Sequence, residues 1–367
     1  MQKYRLAGKR VILRGPKRGD IADRQAIGRH AEFVRMCGGG DMSAGASHPP
    51  RAFWRKWYRN IRRKRHGFII EYEGRCVGTV KLRSSGKNKS FSIGIFDPTL
   101  WSQGLGTEVT RLMLRYGFET LDLEKIALKV LNYNTRGIRC YEKCGFSYVG
   151  KQDEDIRMAI TKREYTLRRD LLLYAISDGN LDAIEAALRG GATMLQLRTK
   201  GLPDDELLAL ARSVKSITDS HGVPLIINDR ADIAIQIDAA GAHLGLDDGD
   251  LRAARALLGP GKILGATART VEQTLAAQAA GADYLGSGAV FGTSTKADAV
   301  PMTLELFREI CSSVKNPVVA IGGIDRTNIA RLKGCGMAGF AISSGIFSEK
   351  DIEGATKELR KEAQHVL

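Results

Sequence analysis

The sequence predicts an α/β chain in two parts: a mixed α+β domain over residues 1–167, then a small (β/α)8 barrel over residues 168–367. Three observations lead there. Charge steps abruptly: residues 1–167 carry 34 Lys+Arg against 16 Asp+Glu, and residues 168–367 carry 22 against 25. Beyond the step, eight short apolar stretches alternate with segments of helical period, as a barrel requires. Before it, one strand runs into a glycine-rich turn and a long amphipathic helix. A length of 367 residues suits about two domains.

Composition narrows the setting. Six scattered cysteines with no Cys-x-x-Cys pair argue against a zinc site or a disulfide framework and fit a reducing, cytoplasmic location. No signal-peptide-like start and no apolar run of about 18 residues is found, so no membrane association is expected. The net charge of +15 resides in the first part and favours anionic partners, such as a phosphorylated cofactor or RNA.

In the first part, Arg5–Arg14 reads as a strand and Asp20–Met36 as a helix ended by Gly38-Gly39-Gly40. Arg51–Arg65 reads as a basic helix whose Phe53, Trp57 and Ile61 share a core-facing stripe. Its basic face suits solvent better than nucleic acid. Gly67–Glu73 and Cys76–Leu82 form a hairpin turning at Glu73-Gly74. After the strand Phe91–Phe96 comes Trp101-Ser102-Gln103-Gly104-Leu105-Gly106-Thr107, then a helix from Glu108 to Leu121. Glycines and a helix N-terminus make an anion cradle of backbone N–H groups. Lys125–Val130 and Ile156–Ile160 are further strands, and a helix begins within Asn132–Gly137.

With Asn134 and Tyr141-Glu142-Lys143-Cys144-Gly145-Phe146 following the cradle, residues 1–165 resemble the GNAT superfamily of N-acetyltransferases, nearest the branch acting on ribosomal-protein N-termini. The resemblance implies a mixed central sheet and acetyl-CoA as co-substrate. Gln103, Gly104, Gly106 and Thr107 would hold its pyrophosphate and Asn134 its pantetheine arm. Tyr141 would protonate the leaving thiolate. Gly137 stands where the family usually has alanine. Glu71 and Glu73 are candidates for the base, and the acceptor is an unspecified amine such as a protein N-terminus. The other reading is a CoA-binding regulatory module without turnover.

In the second part the eight strands are Leu171–Ile176, Thr193–Leu197, Pro224–Ile227, Ala242–Leu244, Ile263–Ala266, Tyr284–Gly286, Val318–Ile321 and Gly339–Ile342. TIM-barrel sites lie at the C-terminal strand ends. There the sequence places Gln196, Arg198 and Lys200, two apart and so on one side of an extended chain. Asn228 and Asp229 follow the third strand, and His243, Asp247 and Asp248 the fourth. Thr267 follows the fifth, and Thr293, Thr295 and Lys296 the sixth. Gly322-Gly323 and Ser343-Ser344 follow the last two, where barrels commonly take a phosphate. Asp229 and Asp248 are oxygen ligands suited to magnesium beside phosphates, unless Asp248 merely caps the next helix.

Gln196-Leu197-Arg198-Thr199-Lys200, Ile227-Asn228-Asp229-Arg230, His243–Asp248, Thr293-Ser294-Thr295-Lys296 and Ala320-Ile321-Gly322-Gly323-Ile324 make this half resemble the thiamine-phosphate synthase family. That family joins an aminopyrimidine diphosphate to a thiazole phosphate. The resemblance implies that Arg198, Lys200, Asn228 and Lys296 hold the diphosphate, Asp229 and Asp248 magnesium, and Gln196 the pyrimidine. Thr293, Thr295, Gly322, Gly323, Ser343 and Ser344 would take the thiazole phosphate. Leu246 and Thr267 depart from the usual glutamine and serine, and Pro301-Met302 lies where a glycine is usual. A thiazole tautomerase on the same barrel is the alternative. The Asn228-Asp229 and Asp248 signature speaks against it.

Overall fold

The structure is a computed structural model that describes residues 4–37, 49–85, 88–292 and 301–367. Its contacts group into two units, Met1–Tyr165 and Thr166–Leu367.

The N-terminal unit is built on an eight-stranded mixed sheet: β1 (Leu6–Ala7), β2 (Val11–Arg14), β3 (Gly67–Tyr72), β4 (Arg75–Ser85), β5 (Asn88–Ile95), β6 (Lys125–Leu131), β7 (Ser147–Gln152) and β8 (Asp155–Thr161), in the order β1-β2-β3-β4-β5-β6-β8-β7. The β3–β4 turn places Glu73 and Gly74 at φ 50° and 75°, the pair of positive φ values a two-residue hairpin loop wants. Strands β5 and β6 run parallel but pair only from Asn88 to Ser90 on the β5 side. Around the sheet lie α1 (Asp20–Ile27), α2 (Ala31–Met36), α3 (Arg51–Arg62), α4 (Leu105–Arg115) and α5 (Thr135–Lys143), and the boundary between the units falls within α6 (Lys162–Asp170). Val109 and Met113 of α4 are fully buried with Phe68, Val80 and Ile126 of the sheet.

Three expectations change here. The helix expected over Asp20–Met36 breaks at Gly28, whose φ of 72° ends α1. On α3, Trp54 and Ile61 are buried while Phe53 is exposed. Ile61 and Trp57 of the expected stripe pack in the core, and Trp54 takes the place expected for Phe53. The single strand expected over Arg5–Arg14 is a hairpin in which β1 pairs antiparallel with β2, Leu6 opposite Leu13.

In the C-terminal unit, β9 (Leu173–Ser177), β10 (Met194–Leu197), β11 (Leu225–Asn228), β12 (Gly241–Leu244), β13 (Ile263–Thr267), β14 (Tyr284–Ser287), β15 (Val318–Ile321) and β16 (Gly339–Ile342) close into a parallel barrel. The helices are α7 (Leu181–Gly190), α8 (Asp204–Ser220), α9 (Ala231–Gln236), α10 (Leu251–Leu258), α11 (Val271–Ala279), α12 (Leu304–Ser313), α13 (Ser344–Phe347) and α14 (Ile352–Val366). Asn180, Thr270, Thr303 and Asp351 cap α7, α11, α12 and α14 with side-chain oxygens. Outward strand residues such as Leu195, Ile227 and Leu285 pack against helix residues such as Ala211, Phe307 and Leu359. Tyr174, Met194, Ile226, Tyr284 and Val319 pack together in a second, smaller cluster. Among the described residues no helix is long and apolar enough to cross a membrane.

Candidate active sites

In the N-terminal unit, a cavity of about 420 Å³ opens where β5 leaves its partner. Ile93, Gly94 and Ile95 line one side, Gly104, Gly106 and Thr107 another, and Asn134, Arg136, Cys140 and Tyr141 a third. Gly104 sits at φ 82° before α4, so the first N–H groups of that helix are presented without intrahelical partners. Glu108 does not face them with a carboxylate. It accepts instead from the backbone N–H of Arg10 at 2.8 Å and of Val11 at 3.2 Å.

The candidates differ in place. Gln103 does not line the cavity: its Nε2 donates to Thr99 O at 2.8 Å. Asn134 caps α5 by accepting from Gly137 N at 3.0 Å. A Cβ on residue 137 would lie 2.9 Å from Asn134 Nδ2, which gives the glycine a reason. Tyr141 packs edge-on against Phe91 with ring centroids 6.1 Å apart. Burial, then Cys140, Cys37 and Cys144, push its hydroxyl above the ordinary range, so it stays protonated. Cys140 is pushed down to about 6, chiefly by its hydrogen bond with Cys144. Glu71 is a poor base: Arg14 binds its carboxylate and holds it below the ordinary range. Sequence reasoning missed Arg136, whose guanidinium stacks 3.6 Å from the Trp101 ring centre at the cavity wall.

In the barrel, Gln196 is buried on β10, and the strand ends at Leu197. Alternation therefore governs Gln196 alone. Arg198 and Lys200 are carried by the following loop, which begins with Arg198 N donating to Ser177 O at 2.8 Å. Asn228 ends β11, and Asp229 follows at φ 62°, an unfavourable region for a residue other than glycine. Asp229 Oδ1 is buried and has no hydrogen-bond partner. Burial, then the neighbouring Asp248, push its carboxyl up to about 6, with Arg198 opposing. Asp248 is not a helix cap. Asp250 caps α10, while Asp248 Oδ2 accepts from Gly245 N at 2.9 Å.

Two adjacent carboxylates, one with a buried unsatisfied oxygen, fit a divalent cation completed by water and phosphate oxygens. No group of three or more metal-binding side chains occurs among the described residues. Gly322 and Gly323, at φ 97° and 64°, bring the backbone against the 289–292 loop. A Cβ at Gly322 would lie 2.5 Å from that of Ala289. Ser343 and Ser344 are half-buried at the start of α13. Thr267 ends β13, its Oγ1 3.1 Å from His243 Nε2. Thr293, Thr295 and Lys296 lie outside the described residues.

With this geometry in view, the sequence model "Thiamine monophosphate synthase" matches residues 173–346. A thiamine-phosphate synthase 2 of Streptococcus pneumoniae is 43% identical over 207 residues, covering 54% of this chain and 99% of that protein. The chain belongs to the thiamine-phosphate synthase family. A thiamine-phosphate synthase of Clostridium tetani is 41% identical over 52% of this chain and 94% of that one. The solved thiamine phosphate pyrophosphorylase of Pyrococcus furiosus aligns with a TM-score of 0.52 at 38% identity, over 55% of this chain and 99% of that one. The family's barrel is here joined to a second domain, for the model "Acetyltransferase (GNAT) domain" matches residues 10–147.

Proposed function

We propose that the barrel condenses 4-amino-5-hydroxymethyl-2-methylpyrimidine diphosphate with hydroxyethylthiazole phosphate, giving thiamine phosphate and pyrophosphate. The observation that carries this is the buried, unpaired Asp229 Oδ1 beside Asp248, near Arg198. Arg198, Lys200, Asn228 and Lys296 bind the diphosphate, and Gln196 orients the pyrimidine. The thiazole phosphate takes the Gly322-Gly323 and Ser343-Ser344 backbones with Thr293 and Thr295. A magnesium ion on Asp229 and Asp248 would supply positive charge for the departing oxygens. The C–O bond to pyrophosphate breaks at a benzylic-type carbon, and the thiazole nitrogen, held in line, forms the new C–N bond. No protein base is needed. Pyrophosphate release that requires both substrates and magnesium, and falls at least tenfold in Lys200→Ala, is the expected result. No release from protein that binds both substrates overturns the reading, and turnover of a thiazole substrate without magnesium would favour the tautomerase.

For the N-terminal unit the proposal is acetyl transfer from acetyl-CoA to an amine. The cavity that joins Gly104, Gly106 and Thr107 to Tyr141 supports it. The cradle holds the pyrophosphate, and the protonated Tyr141 returns a proton to the thiolate as the amine displaces it. Transfer to a peptide or small amine, reduced about 100-fold in Tyr141→Phe, is expected. Acetyl-CoA binding without transfer to any amine would leave a non-catalytic module.

A further inference from the structure

We infer that Cys140 and Cys144 form a dithiol modification site beside the acetyl-CoA cradle: low-molecular-weight disulfides convert the pair to a disulfide, and acetyl-CoA affinity falls. The effect on affinity rests on the acetyl-transfer reading above, whereas the bond itself does not. Cys140 lines the cavity and is partly exposed, and Cys144, at the C-terminal cap of α5, is buried. Four residues apart on a helix, they share a face with Cα atoms about 6 Å apart, within the span of a disulfide. Both sulfurs meet Thr107. Cys140 Sγ lies 3.5 Å from the Thr107 hydroxyl, and Cys144 Sγ lies 3.7 Å from the Thr107 carbonyl. The cradle is close as well: a Cβ at Gly106 would lie 3.5 Å from Cys140 Sγ.

The two thiols are unequal. The hydrogen bond from Cys144, opposed by burial, and then bonds from Thr107 and Thr110 favour the Cys140 thiolate. Cys140 and burial push the Cys144 thiol up. An accessible thiolate beside a buried thiol is what stepwise thiol–disulfide exchange needs. The Cys140 thiolate attacks one sulfur of a disulfide R–S–S–R. A mixed disulfide forms, and RS⁻ leaves and takes a proton from water. Cys144 then attacks the Cys140 sulfur, and the second RS⁻ leaves with the Cys144 proton. The two cysteines give up two electrons, and R–S–S–R is reduced to two thiols. In the mixed disulfide, the R group occupies the cavity itself. The final disulfide has no S–H for the Thr107 carbonyl and no thiolate for its hydroxyl, so the turn that carries Gly106 loses both contacts.

The test treats the reduced full chain with oxidised glutathione and follows it by intact mass and tryptic mapping, since trypsin cuts between the two cysteines after Lys143. The expected product has lost two hydrogens, keeps no glutathione and joins the peptides that carry Cys140 and Cys144. Its Kd for acetyl-CoA, by calorimetry, is expected to rise about tenfold and to return on reduction with dithiothreitol. Acetyl-CoA at about ten times its Kd should slow the reaction about tenfold by covering Cys140. Cys144→Ser is expected to stop at the mixed disulfide and retain one glutathione. A bond from Cys140 to Cys37, which also lines the cavity, glutathione retained by the wild type, or no reaction would overturn the site. A disulfide that leaves Kd unchanged would overturn its link to acetyl-CoA. Should Cys144→Ser not fold, the bond mapped in the wild type decides alone. Reduced protein that fails to bind acetyl-CoA sinks the acetyl-transfer reading, while the mapped bond still tests the dithiol.

Discussion

The two candidate sites are built to meet anions by different means. The N-terminal cavity uses the backbone: Gly104 and Gly106 expose the start of α4, and its side-chain cations, such as Arg136, stand at the wall. On the reading proposed above, the barrel keeps backbone donors for the thiazole phosphate but meets the diphosphate with side chains delivered by separate strand ends, beside the neighbouring carboxyls of Asp229 and Asp248. A backbone donor survives any substitution that leaves the turn intact, whereas a strand-end side chain does not. Single substitutions among the anion-binding groups should therefore cripple the barrel and only attenuate acetyl-CoA binding in the cavity.

The largest effect is expected from Asp229→Ala. Pyrophosphate release should fall by about 100-fold or more, because a carboxylate in a two-ligand site has no substitute. Magnesium titration of both proteins checks this: the variant should not be rescued by excess metal. Rescue would mean that Asp248 and the phosphates suffice.

A smaller effect should come from the cradle. A Cβ at Gly106 would already lie 3.5 Å from Cys140 Sγ, so the methyls of Gly106→Val crowd the turn and shield its N–H groups. Acetyl-CoA affinity is expected to fall about tenfold. Arg136→Ala should cost only about two- to fivefold, as exposed ion pairs do. Calorimetry on both variants sharpens the comparison. A larger loss from Arg136→Ala would make this site, too, one of side chains.

The same contrast explains what the sequence could show. A barrel repeats, so eight apolar stretches and the polar residues after each were visible without coordinates. Gln196, Asn228 and Asp229 could be placed because each sits within a residue of a strand end. The buried hydroxyl pair of Tyr174 and Tyr284 could not, since the two are 110 residues apart and each alone reads as core. In the N-terminal unit the hairpin at Glu73-Gly74 was legible through turn chemistry. Phe53 was misplaced because it fits the same helical stripe as Trp57 and Ile61, and only the packing of its neighbour Trp54 against Arg24 decides between the two. Arg24 lies 4.5 Å from the Trp54 ring centre and 4.0 Å from that of Phe96.

The smallest expected effect concerns Glu71 and separates stability from catalysis. Arg14 donates to Asp20 at 2.7 and 3.0 Å and also to Glu71. That partnership lowers the Glu71 carboxyl from its ordinary value of 4.5. A carboxyl lowered on folding stabilises the fold above its unfolded value, and the contribution fades as pH falls through the folded value. Glu71→Gln should therefore lower the Tm of the N-terminal unit at pH 7 by about 2 °C. The gap from wild type should close as pH drops below 4.5. Acetyl transfer measured on the same variant should stay within about threefold of wild type, because a carboxylate locked to arginine is a weak base. A well-folded Glu71→Gln protein that has lost transfer would instead make Glu71 the base, and Arg14 the residue that tunes it.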